Sequence, residues 1–220
     1  LDLDAAGNFY YVKCSQHWAP AFHKRHGTLV KVAADGQSSE LLAFGLRSCN
    51  GCFVDQEDGS VWLTDQEGFW NPQNKVMRVA MGAFHGNMLA WYDPSRVSAS
   101  DDDMEEPIVW THKSYANSPS EVFRFPNQGW GALSGNYGYF EYGRGHLMTL
   151  AFEEKDGRLQ GFTQKLDLPA FPTGIMRGRF HPADQSFYTC GLFGWGSNQR
   201  QWGGLFRVTP SGNPSYSLTG

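Results

Sequence analysis

Short stretches in which apolar and polar residues alternate recur along the chain. Four of them join a turn, a strand-like stretch and a second turn, at residues 27–36, 74–86, 143–157 and 203–212. In three others a turn containing Asp, usually with Gly, precedes an aromatic strand, at residues 4–14, 55–65 and 181–191. Alternation with a period of two is typical of half-buried strands. The pattern therefore predicts an all-β chain without a helix longer than a turn or two.

The spacing of the first pattern favours a propeller. Its copies begin about 47, 69 and 60 residues apart, which fits blades of roughly 40 to 50 residues with inserted loops. We expect about four blades, around residues 1–36, 37–93, 94–160 and 161–212. A β-sandwich is the alternative, because strand and turn signals alone do not separate the two architectures. Four blades of a larger ring leave open flanks, so we expect further blades on both sides, from the natural chain or from another.

Composition supports a folded β-rich domain and excludes several classes of function. Aromatic residues make up 15% of the chain, Gly occurs 26 times, and only 18% of the residues are charged. A net charge of -4 without a basic block gives no footprint for nucleic acid. No apolar run is long enough to span a bilayer, and no signal peptide is visible. Residue 1 falls in the approach to a strand, so we expect the sequence to begin inside a longer protein.

Four cysteines, Cys14, Cys49, Cys52 and Cys190, are compatible with disulfides in an exported protein or with reduced thiols. Cys49 and Cys52 have the C-x-x-C spacing of metal and redox sites. Residue 53 is Phe rather than His, so covalent haem is excluded at this position. No second C-x-x-C is present to complete a zinc site.

Two loops carry candidate binding residues. The first, residues 64–74, brings Asp65, Gln66, Glu67 and Trp70 together after a strand, as a calcium site or a sugar-binding surface requires. Polar turns without a ligand have the same composition. The second, residues 194–204, contains Trp195, Gln201 and Trp202, whose rings and amides suit a pyranose, although such tryptophans also pack in cores.

Arg177 and Arg179 alternate along a predicted strand and therefore point to the same side. Two adjacent guanidinium groups need either carboxylates or an anionic ligand between them. The histidines of one loop, His17, His23 and His26, could share a metal ion, although Lys24 and Arg25 beside them oppose a cation. The chain contains no G-x-S-x-G, P-loop or G-x-G-x-x-G motif, so serine-hydrolase and nucleotide-binding functions have no support.

Three segments resemble soluble glucose and sorbosone dehydrogenases, and they occur in the same order. GLRSCNGCFVDQEDGSVWLTDQEGFW, residues 45–70, is similar to the G-x-R-N-x-x-G stretch that leads through a strand into a T-E/D-x-G loop. MRGRFHPADQSFY resembles their R-x-R-D strand and its D-G turn, and SPSEVFRFP resembles their A-P-S segment. Nearly the whole chain is similar to the sorbosone-dehydrogenase-like propeller of large, exported planctomycete-type proteins, which often carry a c-type cytochrome domain.

This resemblance implies a six-bladed propeller whose upper face binds pyrroloquinoline quinone and calcium, and in which hydride passes from the sugar C1 to the quinone. Arg47 would approach the quinone, and Arg177 and Arg179 would hold its carboxylates. The loop from Gln66 through Glu67 to Gly68 would offer backbone carbonyls to the calcium. A periplasmic or secreted location and a cytochrome partner follow from the same resemblance.

The chain departs from the family pattern at two places. The catalytic His of the family would lie before residue 1, and the segment from Tyr142 to Gly145 lacks the family's cofactor-contacting Lys. We therefore keep a second hypothesis, a non-catalytic propeller that binds carbohydrate or protein, which the missing Lys favours. A hydrolytic propeller with a single central metal is a third.

Overall fold

In the computed structural model, residues 1–15, 19–90, 103–193 and 200–211 are described, and they contain fifteen strands in four antiparallel sheets. The first sheet consists of β1 (Asp2–Leu3), β2 (Phe9–Lys13), β3 (Thr28–Val32) and β4 (Ser39–Phe44). The second consists of β5 (Cys52–Val54), β6 (Val61–Asp65), β7 (Asn74–Arg78) and β8 (Val109–Thr111).

The third sheet consists of β9 (Pro119–Arg124), β10 (Tyr137–Glu141), β11 (His146–Lys155) and β12 (Arg158–Lys165). The fourth contains β13 (Arg177–Phe180), β14 (Phe187–Leu192) and β15 (Gly203–Val208). Short 3-10 turns occur at Met88–Ala90 and Gly131–Leu133. None of the helices within these described ranges is long and apolar enough to cross a membrane. The prediction of an all-β chain is confirmed.

The two sequence patterns mark fixed positions within the sheets. The Asp-containing turn with its aromatic strand supplies the second strands β2, β6 and β14, and the other pattern supplies the third strands β3, β7, β11 and β15. The turns before three of the second strands are also closed by similar backbone hydrogen bonds. The N–H groups of Gly7, Gly59 and Gln185 donate to the carbonyls of Asp4, Asp55 and His181, at 3.0, 2.9 and 2.9 Å. Each sheet is therefore one copy of a repeated antiparallel meander.

The sheets span residues 2–44, 52–111, 119–165 and 177–208. The expected blade boundary at residue 36 falls before β4, and the one at residue 160 falls inside β12. The boundary at residue 93 lies outside the described residues. The fourth strands have little aromatic alternation, since they form the partly exposed outer edges, and so the sequence pattern does not mark them.

Adjacent sheets pack face to face, and one apolar cluster fills each of the three gaps. Leu29 of the first sheet packs with Leu63 and Met77 of the second. Trp62 stacks on Tyr137 of the third sheet at 4.4 Å, and Phe140 stacks on Phe187 of the fourth at 5.7 Å. The first strands of successive sheets contact one another, β1 with β5, β5 with β9 and β9 with β13. Sheets that radiate from adjoining inner strands are the blades of a propeller.

Because the strands run up and down, alternate loops lie at opposite ends of the sheets. We call upper face the end that carries the loops between second and third strands and the connections between sheets. Its described segments are residues 14–15, 19–27, 45–51, 66–73, 112–118, 142–145, 166–176, 193 and 200–202. The opposite end is the lower face. Most of the candidate residues from the sequence lie on the upper face.

All four cysteines are free thiols. Cys14 donates from Sγ to the carbonyl of Cys49 at 3.3 Å. Burial raises the pKa of Cys52 to about 12 and also raises the pKa of Cys14 and of Cys49. A raised pKa leaves little thiolate at neutral pH, so the C-x-x-C pair is not activated for nucleophilic chemistry.

Candidate functional site

The carboxylate of Asp65 organises the upper face between the first two sheets. Asp65 ends β6 and is fully buried. Its Oδ2 accepts the backbone N–H of Arg47 at 2.9 Å, and its Oδ1 accepts those of Ser48 at 2.6 Å and Gln66 at 2.9 Å. The Nδ2 of Asn71 also donates to Oδ2, at 2.9 Å. All these hydrogen bonds are internal, so Asp65 holds loops in place and has no surface to offer a sugar.

A buried lysine extends this network. The Nζ of Lys75 lies 3.4 Å from Oδ1 of Asn71 and donates to the carbonyl of His85. Its ammonium also lies 5.4 Å from the ring centre of Trp110. Burial lowers the pKa of Lys75. Sequence reasoning missed this residue, because Lys in a strand is usually a solvated side chain.

Arg47 lies against the backbone of Gly68. A Cβ built on Gly68 would lie 2.2 Å from Cζ of Arg47, and Gly68 has a φ of +148°. The buried Nε of Arg47 has no hydrogen-bond partner within the described part of the chain. A buried donor that is left unpaired suits an acceptor brought by a ligand.

Replacing Gly68 with alanine is expected to push the Arg47 guanidinium out of its position. The new methyl group would occupy the space of Cζ, and its backbone would be strained at positive φ. We expect a stability loss of about 1–2 kcal/mol together with loss of any anion affinity that depends on Arg47. Thermal unfolding and ligand titration measure the two effects. Gly36→Ala, also at positive φ but in open space, controls for backbone strain; equal anion affinity in both variants would contradict the expectation.

Arg177 and Gln66 meet at the start of the inner strand β9. The Nη1 of Arg177 donates to the carbonyl of Asn50 at 3.2 Å and to Oγ of Ser120 at 3.3 Å. The Nε2 of Gln66 donates to the carbonyl of Pro119 at 2.7 Å. The Arg177 side chain is 37% exposed, and its Nε lies 3.8 Å from the carboxylate of Glu121, which also pairs with Arg179. The Arg177 guanidinium is thus partly exposed at the axial edge of the upper face, and one carboxylate is shared between two arginines there.

Arg179 is held differently, although its side chain lies on the same side of β13. Its Nη1 donates to Oε2 of Glu121 at 2.7 Å, while the Nε of Arg177 lies 3.8 Å from the same carboxylate. Glu121 is buried, and Oδ1 of Asp2 lies 4.0 Å from Nη2 of Arg179. A carboxylate therefore separates the two guanidinium groups, and Arg179 is largely neutralised by the protein itself.

Glu67 and Gly68, the expected metal ligands, are engaged within the protein. Oε1 of Glu67 lies 2.9 Å from Nζ of Lys113. Gly68 and Asn71 exchange two backbone hydrogen bonds, at 2.8 and 3.0 Å. No three His, Cys, Asp or Glu side chains converge on a common point in the described ranges. An ammonium group next to the Glu67 carboxylate opposes a cation there.

Of the four expected sugar-binding residues, Asp65 is buried, as described above, and two others lie on the upper face. Trp70 stands on the upper face and is 52% exposed, beside the equally open Phe69. Gln201 is also on this face, where its backbone N–H donates to the carbonyl of Pro172 at 2.9 Å. Trp195 lies outside the described residues.

The histidine loop shows no metal arrangement among its described members. The ring centres of His23 and His26 are 6.1 Å apart, and His17 lies outside the described residues. Nδ1 of His23 accepts the N–H of Arg25 at 3.2 Å. Burial lowers the pKa of His26, which packs edge-on against Phe22. These two rings are used in packing and local turns.

Glu141 repeats the arrangement of Asp65 in the third sheet. It ends β10, the second strand, and is fully buried. Its Oε1 accepts the N–H of Asn117 at 2.9 Å and that of Arg144 at 3.1 Å. Burial raises the pKa of Glu141 to about 7. No local motif marks this residue in the sequence, although an alignment of YGYFE with VWLTD puts both carboxylates at the same blade position.

Comparisons with known proteins support the fold. No family model matches the chain, and no curated protein matches it. A crystal structure of glucose dehydrogenase matches with a TM-score of 0.67 and 18% identity, over 95% of this chain and 63% of that one. The soluble aldose sugar dehydrogenase of Escherichia coli, in its apo form, matches with a TM-score of 0.64 and 14% identity, over 93% and 61%.

The pyrroloquinoline quinone-bound aldose sugar dehydrogenase of Streptomyces coelicolor matches with a TM-score of 0.56 and 12% identity, over 91% of this chain and 58% of that one. At such identities the likeness establishes the fold alone. The chain is therefore a β-propeller with the fold of the glucose and aldose sugar dehydrogenases. It spans about three fifths of the length of these structures.

Proposed function

We propose that the chain is part of a quinone-dependent sugar dehydrogenase, in which the upper face binds an acidic quinone of the pyrroloquinoline type and a sugar. The orphaned Nε of Arg47 beside Gly68 is the observation that carries this proposal. Arg177 adds a partly exposed guanidinium that shares the single carboxylate of Glu121 with Arg179, and Gln66 lies at the same edge. Bidentate guanidinium groups match the carboxylates of such a cofactor.

Some of these residues would contact the cofactor directly, and others would hold those residues in place. Arg47 and Arg177 would hold the anionic cofactor, and Asp65 would keep the backbone of Arg47 in place from below. When bound, the quinone supplies the acceptor for a hydride from the sugar C1. Arg179 would act indirectly, because its charge is committed to Glu121. No residue of this chain is assigned the role of the catalytic base.

Calcium fits the site less well than the quinone does. The carboxylate of Glu67 is paired with Lys113, so only backbone carbonyls of the loop would remain as ligands. We assign no step to calcium. We also propose, by the resemblance alone, that the natural protein is exported and that a c-type cytochrome domain accepts the electrons.

A non-catalytic propeller that binds carbohydrate is the second candidate. The turn from Tyr142 to Gly145 favours it, because a Cβ at Gly143 would lie 2.7 Å from the carbonyl of Asn117. A side chain at position 143 would displace the neighbouring loop, and so a cofactor-contacting Lys has no space there. Arg144 places its guanidinium on the carbonyl of Lys113 instead, at 2.9 Å.

Titration of the full natural protein with pyrroloquinoline quinone, followed by absorbance, tests the proposal. We expect saturable binding, with a dissociation constant about 10- to 100-fold higher in Arg177→Ala, because a charge-assisted contact would be lost. Reduction of a dye should then depend on an added aldose. Arg78→Ala is the matched control, since Arg78 pairs with Asp58 at the lower end of β7. Absence of quinone binding in the natural protein would leave the non-catalytic propeller as the better explanation.

A further inference from the structure

Two neighbouring aromatic side chains project from the upper face. Phe69 is 59% exposed and Trp70 is 52% exposed, at the tip of the turn between β6 and β7. Trp70 has a φ of +64°, which is an outlier for a bulky residue. Exposed rings and a strained backbone both oppose stability, so folding alone gives no reason for this tip.

The base of the turn is rigid, in contrast to its exposed tip. Gly68 and Asn71 close it with two backbone hydrogen bonds, and Asn71 is tied to Asp65 from below. The N–H of Glu67 donates to Oδ1 of Asn74 at 2.9 Å, and Nδ2 of Asn74 donates to the carbonyl of Ala116 at 2.9 Å. Asn71 and Asn74 are both buried. The aromatic tip is therefore presented in a fixed orientation.

Charged groups border the tip. The pair of Glu67 and Lys113 lies next to it, and the Lys113 side chain is 61% exposed. The Arg144 guanidinium is anchored on the carbonyl of Lys113. An aromatic face flanked by hydrogen-bonding groups matches a pyranose ring, which has an apolar face and hydroxyl groups around its edge. A protein partner would instead favour a wider apolar patch without charges in its centre.

We propose that the tip formed by Phe69 and Trp70 is a subsite for a second pyranose unit, so that the protein recognises an oligosaccharide rather than a free monosaccharide. The inference rests on the proposed function, because the first sugar unit would lie nearer Arg47 and Arg177. The Trp70 ring stacks on the second unit, and Lys113 and Glu67 bind its hydroxyl groups. The Phe69 ring widens the platform.

Calorimetric titration of the full natural protein with α-1,4- and β-1,4-linked glucose pentasaccharides, and with glucose, tests the subsite. We expect at least one pentasaccharide to bind about tenfold more tightly than glucose. Trp70→Ala should remove that advantage, so that the ratio of pentasaccharide affinity to glucose affinity falls to about one. Trp70→Asn should do the same with a residue that tolerates positive φ, which separates the loss of the ring from a disturbed turn. Phe162→Ala, at an equally exposed aromatic side chain on the outer strand β12, is the control.

Equal affinity for glucose and both pentasaccharides would overturn the proposal, as would unchanged pentasaccharide binding in both Trp70 variants. A loss of self-association in these variants, with unchanged sugar affinity, would also overturn it and would indicate a protein contact instead. The quinone titration is independent of these results. Pentasaccharide binding that depends on Trp70 without quinone binding would therefore reject the dehydrogenase and retain the subsite.

Discussion

Replacing Asp65 with alanine is expected to lower the free energy of unfolding by about 4 kcal/mol. The variant would leave four N–H donors without their acceptor, those of Arg47, Ser48, Gln66 and the Asn71 side chain. Each buried donor without a partner costs about 1–3 kcal/mol, and water at the rim of the face recovers part of the sum. For a chain of this length the melting temperature should fall by about 10 °C. Urea unfolding followed by tryptophan fluorescence measures the change.

The same variant should lose quinone affinity even under conditions in which it remains folded, because the backbone of Arg47 is no longer held. Asp35→Ala is the control, since Asp35 is exposed and accepts one turn hydrogen bond from Gln37. That change should cost less than about 1 kcal/mol. If Asp65→Ala and Asp35→Ala had the same free energy of unfolding, water would replace the Asp65 carboxylate as acceptor, and the loops would not depend on it for their conformation.

Stability is expected to fall by about 3 kcal/mol between pH 4.5 and pH 7 through Glu141 alone. Burial raises the pKa of this carboxyl from 4.5 to about 7. In that interval the folded chain keeps a proton that the unfolded chain releases, so the contribution is fully present below pH 4.5 and lost above pH 7. Glu141→Gln carries the neutral form at every pH, and it should therefore be more stable than the natural protein at pH 8 and similar at pH 4.5.

Urea unfolding across this pH range should be measured for the natural protein and for Glu141→Gln. The difference between their free energies of unfolding reports the contribution of Glu141. Histidines act in the opposite direction, because burial lowers the pKa of His85 to about 3 and also lowers that of His26, so their contribution grows as the pH rises. Both proteins contain the same histidines, so the histidine contribution to the pH dependence cancels in this difference. For Glu154→Gln, at an exposed position of β11, the difference in stability from the natural protein should not change with pH. If the difference from the natural protein changed with pH equally in both glutamine variants, Glu141 would not be its source.

The sequence was sufficient to predict most of the second and third strands of the sheets, because those strands combine a marked turn with an alternating apolar or aromatic pattern. FYYVK and VWLTD are examples, at Phe9–Lys13 and Val61–Asp65. The strand YGYFE at Tyr137–Glu141 was missed as a repeat, since a loop of residues 125–136 replaces the short turn before it. The outer strands contribute edge positions with mixed exposure, and their pattern is weak for that reason.

The candidate site was predictable only where the chemistry is local. The alternation of Arg177 and Arg179 predicted a shared side of the strand, and both side chains do reach Glu121. Glu121 lies more than fifty residues earlier, so no local pattern could indicate which arginine it neutralises. Asp65 and Glu67 are two residues apart and looked alike in sequence. Burial of Asp65 and the pairing of Glu67 with Lys113 are consequences of packing between loops.

In the second and third sheets, a buried carboxylate holds the loop that leads into the sheet against the end of the sheet's own second strand. Each of these two blades therefore fixes its own part of the upper face. Asp65 closes a segment of 18 residues back to Arg47, and Glu141 closes one of 24 residues back to Asn117. Both closures use only the chain of their own sheet and its entry loop, and short closures cost less entropy than distant ones. Loop sequences in such a blade can therefore change, or the blade can be duplicated within a ring, while the buried carboxylate still holds the entry loop in position.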